Sequence, residues 1–212
     1  MAGPRTYVYI DGFNLYYGKL KGTKSKWLDL SQLVARALPA FDVVQIRYFT
    51  AAVSPRPGNP SVHLRQQAYL SALGTLQNVS LHMGRFLQST PMMPLLAPPP
   101  AGPKHVRVIK TEEKGSDVAL ASFMVADGFQ GKYDVAVVVS NDSDLVPPIE
   151  IVTTELGRDV GVLNPHKNTS HALQKAATFY RPLRAGVIAA SQFPDDVVAS
   201  DGRVLSRPFE WR

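Results

Sequence analysis

A chain of 212 residues, with 45% apolar and 19% charged side chains, can build one well-cored domain and is too apolar for wholesale disorder. It has no cysteine, which excludes a disulfide framework, a thiolate zinc site and a cysteine nucleophile. The formal charge is +6, and there is neither a leader pattern nor an apolar run of the ~18 residues a membrane span needs, so a cytoplasmic, unanchored protein is expected.

The first predicted element is RTYVYI over residues 5–10, short, β-branched and aromatic, a buried strand running into the Asp11-Gly12 turn. LDLSQLVARAL then repeats its apolar residues at helical spacing and stops at Pro39. Residues 43–53 read as a second strand, PRPGNP as a loop, 61–77 as a helix and VSLHMGRFL as a third strand. Residues 88–104, built around STPMMPLLAPPPAGP, are too rich in proline for a helix or central strand and are expected as a surface loop. A strand over HVRVIKT follows, then a helix from Ser116 to about Gly128. Next come YDVAVVVS as a central strand, a helix through EIVTTELG, the strand DVGVL and a helix over 169–179.

Strands alternating with helices predict a mostly parallel sheet with helices on both faces, an α/β/α sandwich. The continuous apolar run VAVVV is what a strand buried on both sides requires. Residues 1–185 are expected to form the domain and 186–212 a tail packed on it, with a hairpin at Asp201-Gly202 and Trp211 pinning the end.

The chemistry lies in where the acids fall. Asp11 follows the first strand, Asp142 and Asp144 follow VAVVVS, and Asp117 opens the helix after Gly115-Ser116. Ligands of an open parallel sheet bind outside the carboxyl ends of its strands, which is the rim these acids occupy. Each taken singly is explained as a helix cap or a first-turn acid. Their redundancy is not, because carboxylates gathered at one place cannot all stay ionised without a counter-charge. Carboxylates, Asn and water are hard oxygen donors suited to Mg²⁺ or Mn²⁺. The five histidines form no HExxH pair, and His166 and His171 read as structural.

With four acids assigned to one site, 23 basic residues face 13 remaining acidic ones, a basic surface suited to a polyanion. Lys19, Lys21, Lys24 and Lys26 follow the first acid, beside Tyr16, Tyr17 and Trp27. Lysines contact phosphates and aromatic rings stack on unpaired bases, although a solvated lysine loop over buried aromatics has the same composition. Lys114, beside Asp117, joins the substrate-binding candidates, as do Asn14, Ser140 and Asn141. These short polar residues either position water and phosphate or bond loose backbone groups.

Four segments in order, YIDGFNLYYG, EKGSDVALASFMVADGF, VAVVVSNDSDLVPPIE and GVLNPHKNTSHAL, resemble the successive motifs of the NYN-domain family, the LabA-like branch of PIN-like nucleases. RVLSRPFEW is similar to the ends of some bacterial members. The resemblance implies a PIN-like three-layer fold and a Mg²⁺- or Mn²⁺-dependent ribonuclease site acting on single-stranded or structured RNA. Its acids fall on Asp11, Asp117, Asp142 and Asp144, with Asn14 as polar companion. Two positions depart from the pattern: Asn141 replaces the usual glycine of SGDSD, and Phe123 stands where many members carry a further acid. The alternative is a nucleic-acid-binding or protein-interaction module of weak catalytic power on the same fold. A phosphatase of the haloacid dehalogenase kind needs DxD after the first strand, where this chain has Phe13, and no GxGxxG marks a dinucleotide site.

Overall fold

In a computed structural model, which describes residues 3–55 and 58–212, a seven-stranded curled sheet is covered by helices on both faces. The start of the expected domain at residues 1–2, and Arg56 and Pro57 of the PRPGNP loop, lie outside the described residues. The first half of the chain runs through β1 (Arg5–Asp11), α1 (Gly12–Leu15), α2 (Leu30–Ala37), β2 (Asp42–Ala51), α3 (Val62–Leu73) and β3 (Val79–Ser89). It continues with β4 (Met92–Pro94), β5 (His105–Arg107), β6 (Lys110–Lys114), α4 (Ser116–Phe129) and β7 (Val135–Val139). The rest comprises α5 (Val146–Glu150), β8 (Asp159–Asn164), α6 (His171–Ala176), β9 (Phe179–Pro182), α7 (Ala185–Ala189), β10 (Asp196–Val198) and β11 (Val204–Ser206).

The strand order is β6-β3-β2-β1-β7-β8-β9, parallel throughout except that β6 runs antiparallel to β3. The mostly parallel, doubly covered sheet expected from the sequence is therefore present. β1 to β3 build outward on one side of the sheet, and the chain then crosses to lay β7, β8 and β9 on the other. That reversal puts a topological switch point between β1 and β7, where a crevice opens at the strands' carboxyl ends.

Alternate residues of β1 feed the two cores. Val8 and Ile10 pack with Leu30, Leu33 and Tyr69 on one face, while Tyr9 packs with Leu120, Met124 and Ile149 on the other. All five residues of β7 are buried, as VAVVV predicted.

Four elements differ from expectation. The residues expected as one strand, HVRVIKT, divide between β5, which pairs with β4 in a separate ladder, and β6 at the sheet edge. The proline-rich stretch thus holds one short strand, with Pro94 at its end, where a missing N–H costs least. The helix expected through EIVTTELG begins earlier, with a 3₁₀ turn at Ser143–Leu145, because Pro147 and Pro148 fall in the first turn of α5, where proline is tolerated. The helix expected over 169–179 ends at Ala176, and Phe179–Pro182 becomes an edge strand pairing with β8. Residues 196–206 form the expected hairpin around Asp201-Gly202, and the Trp211 ring lies 6.4 Å from that of Trp27 and 6.2 Å from that of Tyr69. Among the described residues, no helix is long and apolar enough to cross a membrane.

Candidate active site

The site grows from the switch point. β1 delivers Asp11 to the carboxyl-end rim of the sheet, and its carboxylate caps α1, accepting from the Asn14 backbone N–H at 2.9 Å. Its other oxygen accepts from the Ser140 hydroxyl at 3.1 Å, which ties the carboxyl ends of β1 and β7 together. The chain turns sharply here because residue 12 is glycine: a Cβ there would lie 2.7 Å from the Phe49 carbonyl oxygen and 2.7 Å from the Tyr48 ring. Only a residue without a side chain brings Asp11 this close to β2.

After β7, Asp142 caps the 3₁₀ turn, accepting from the Asp144 N–H at 3.0 Å, and its own N–H donates to Ser140 Oγ at 3.2 Å. On the other flank, β6 runs into Gly115, whose φ of +101° turns the chain into α4 and brings Asp117 to the same rim. Glu113 steadies this turn, accepting from the Ser116 hydroxyl at 2.8 Å and its N–H at 3.2 Å.

These elements enclose a cleft of about 880 Å³ lined by Asp11, Asn14, Glu113, Asp117 and Asp142, with Phe13, Tyr17, Phe86, Ile109 and His166 among its walls. Of the four expected acids, three line it. Asp144 is exposed beside it and contributes to the field, raising the Asp117 pKa along with the others. Glu113 is a fifth acid that the sequence reading missed; the EEKGSD segment contained it, but only the reversal of β6 aims it inward. His166, read as structural, also lines the cleft.

The short polar residues divide in their roles. The Asn14 side chain lines the cleft and accepts from the Asn141 N–H at 2.9 Å. Ser140 is fully buried, its hydroxyl engaged by Asp11 and Asp142. Asn141 points away, its oxygen accepting from the Tyr180 hydroxyl at 2.8 Å and the Ser170 N–H at 3.0 Å. Lys19, Lys21, Lys24, Lys26 and Lys114 are not among the residues that line the cleft. Lys21 sits 4.8 Å from the Tyr17 ring centroid, Lys26 lines a neighbouring pocket, and Lys114 pairs with Glu112 at 3.6 Å. Trp27 is core, with no exposed surface, and its ring N–H donates to the Pro194 carbonyl. At the other departure from the family pattern, Phe123 lies under the Arg47 guanidinium, 4.7 Å away, and against His82.

Among the described residues, no ion pair reaches Asp11, Glu113, Asp117 or Asp142. Burial pushes the Asp11 carboxyl up and Asp142 adds to the shift, while hydrogen bonds from Asn14 and Ser140 hold it down. Asp117 is pushed up to about 6, first by partial loss of water around its carboxylate, then by the charges of Asp11, Asp142, Glu113 and Asp144. A carboxyl raised from 3.8 to about 6 binds more protons folded than unfolded between those values, so stability falls as pH rises through that window. Melted in chelator, the protein is therefore expected to lose stability between pH 4 and pH 7 through this group, and Asp117→Asn to flatten that decline. An equal decline in the variant would show that Asp117 does not feel its neighbours.

Among the described residues, no three acid or histidine side chains are drawn together closely enough to form a closed ligand set. An open set of hard oxygens still suits Mg²⁺, which keeps several waters and takes one or two carboxylates together with a substrate phosphate.

A parallel sheet with carboxylates gathered at its switch point defines an α/β domain with a ligand crevice at the carboxyl-end rim of the sheet. The chain belongs to the NYN-domain family of PIN-like nucleases: the NYN domain model matches residues 5–184. It is 32% identical over 219 aligned positions to a Pseudomonas putida protein named 6-hydroxy-3-succinoylpyridine 3-monooxygenase HspA, covering 90% of this chain and 70% of that one. It also shares its fold with a solved Vibrio parahaemolyticus protein of unknown function, with a TM-score of 0.52, 16% identity, and coverage of 86% of this chain and 94% of that one.

Proposed function

We propose that this protein is a metal-dependent nuclease that hydrolyses phosphodiester bonds of RNA in the acidic cleft. The observation that carries the reading is the mutual field of Asp11, Asp117, Asp142, Asp144 and Glu113, which a divalent cation and a phosphate would together relieve. Asp11, Asp117 and Asp142 line the cleft, and one or two of them would hold Mg²⁺ or Mn²⁺ together with a substrate phosphate, with Asp144 and Glu113 adding negative charge. When bound, such a cation neutralises charge on a phosphate oxygen and lowers the pKa of water for in-line attack. Ser140 positions Asp11 through its hydroxyl, Asn14 presents its amide to the cleft, and Asn141 braces the turn that carries Asp142. Lys19, Lys21, Lys24, Lys26 and Lys114 supply phosphate contacts to the strand beyond the cleft, without reading its sequence.

A mixed pool of single-stranded and structured RNA tests this directly. Cleavage is expected with Mn²⁺ or Mg²⁺ and none with excess chelator; undiminished cleavage in chelator would overturn the mechanism.

A second reading comes from the Pseudomonas putida relative, whose name gives it a substituted pyridine as substrate. Phe13, Tyr17 and Phe86 in the cleft wall favour a flat ring. The carboxylates beside them disfavour it, since a succinoyl group is itself an anion. Oxygen uptake dependent on a hydroxypyridine and an added reductant, with no RNA cleavage, is the result that would favour oxygenation.

A further inference from the structure

Beside the acidic cleft lies a second pocket of about 210 Å³, and Phe13, Tyr17 and Val53 line both. Its inner wall is Tyr48 and Tyr69, 7% and 6% exposed, whose rings meet edge to face at 6.4 Å. Trp211, edge to face with Tyr69 at 6.2 Å, also lines it. Lys26 and the Arg65–Glu210 ion pair, 2.7 Å apart, also line the pocket.

Size and chemistry together select the occupant. Pockets for drug-sized ligands run from about 300 to 1,000 Å³, so this one admits a single ring system. Aromatic walls suit a flat π-face, and Lys26 among the lining residues suits a ring that carries acceptors. Gln66 and Arg65 are already bonded within the protein, to Val53, Ala51, Ser61 and Glu210, so the aromatic walls rather than these groups select the ring. The pocket also opens beside the place proposed for a phosphate, the arrangement that a base and its own backbone require.

We infer that this pocket receives one unpaired nucleobase of the strand whose phosphate lies in the acidic cleft. The inference rests on the nuclease reading and adds a base subsite to it. It also makes the C-terminal segment part of the site, because Trp211 and Glu210 belong to the last turn of the chain, Phe209–Trp211.

The protein has two tryptophans, whose rings lie 6.4 Å apart, so the emission change that belongs to Trp211 is the part lost in Trp211→Phe. With Ca²⁺ in place of Mg²⁺, the protein is titrated with a uridine octamer, with a base-free octamer of the same sugar-phosphate chain, and with free uridine. The base-bearing strand is expected to quench Trp211 and to bind about tenfold or more tightly than the base-free chain, as stacking of one base on aromatic side chains provides. Val62→Phe, which fills the pocket from the start of α3, is expected to abolish the quenching and most of that advantage. Equal binding of the two strands with unchanged emission would overturn the pocket while leaving the nuclease reading intact. Binding of neither strand would remove the nuclease reading itself. Quenching by free uridine as strong as by the octamer would overturn the strand as the source of the ring.

Discussion

Asp11→Asn and Asp142→Asn are each expected to lower metal-dependent RNA cleavage by roughly 10²- to 10³-fold, the usual cost of losing one preorganised electrostatic group. The substitution separates the two jobs that each carboxylate performs. Asn is as good a helix cap as Asp, so at position 11 its oxygen still accepts from the Asn14 N–H, and at position 142 from the Asp144 N–H. What it removes is the negative charge. The folded state should therefore survive, and in chelator the Asp11→Asn protein should melt at or above the wild-type temperature, since one member of a repelling set is gone. Millimolar Mg²⁺ or Mn²⁺ should raise the wild-type melting temperature and raise the variant's much less. A variant that cleaves at the wild-type rate would reduce that aspartate to a cap.

Asp127→Ala is expected to cost roughly 3 to 5 kcal/mol of stability and to leave the cleft's chemistry untouched. Asp127 lies ten residues beyond Asp117 on α4, 1% exposed, and meets the opposite circumstances. Arg47 grips it with two hydrogen bonds, Nε at 2.7 Å and Nη2 at 3.1 Å, and Lys132 Nζ and the Tyr9 hydroxyl donate to it at 2.9 and 3.0 Å. Burial alone would raise its pKa, but bonds from Arg47, Lys132 and Tyr9 prevail and hold the carboxyl below its ordinary value. Its stabilising effect is accordingly present above roughly pH 4 and lost as pH falls further, opposite in sign to that of Asp117. Truncation leaves the Arg47 guanidinium, whose side chain is 14% exposed, without its anion. In a chain of this length, 3 kcal/mol corresponds to a drop in Tm of roughly 6 to 12 °C. A shift under about 2 °C in a thermal melt would show that the pair is dispensable.

Two aspartates on one helix thus carry opposite electrostatics, which no local feature of SDVALASFMVADGF announces. The positions of the acids were legible because each follows a segment whose pattern is local. RTYVYI and VAVVV are apolar runs that end at turn residues, and Asp11, Asp142 and Asp144 come directly after them. Capping and clustering, posed from the sequence as rival explanations of these acids, prove compatible for Asp11 and Asp142. A carboxylate has two oxygens and a delocalised charge, so it can accept a backbone N–H and still repel its neighbours.

By itself, then, the sequence determined the doubly covered parallel sheet, the family and the rim on which the acids fall. Strand periodicity, glycine and proline punctuation and the order of motifs all act over a few residues. Tertiary structure alone decided the remainder. β9 exists because Gly161–Asn164 offers Phe179–Pro182 a sheet edge, and a short segment takes the conformation that satisfies its backbone. Glu113 enters the cleft because β6 runs antiparallel to β3, and Asn141 turns away because Tyr180 and Ser170 hold it. Ser140 meets Asp11 across 129 residues of chain, and Trp211 meets Tyr69 from the far end of it. Contacts between residues so distant in the chain are set by how the layers pack, and packing is a property of the whole fold rather than of any segment in it.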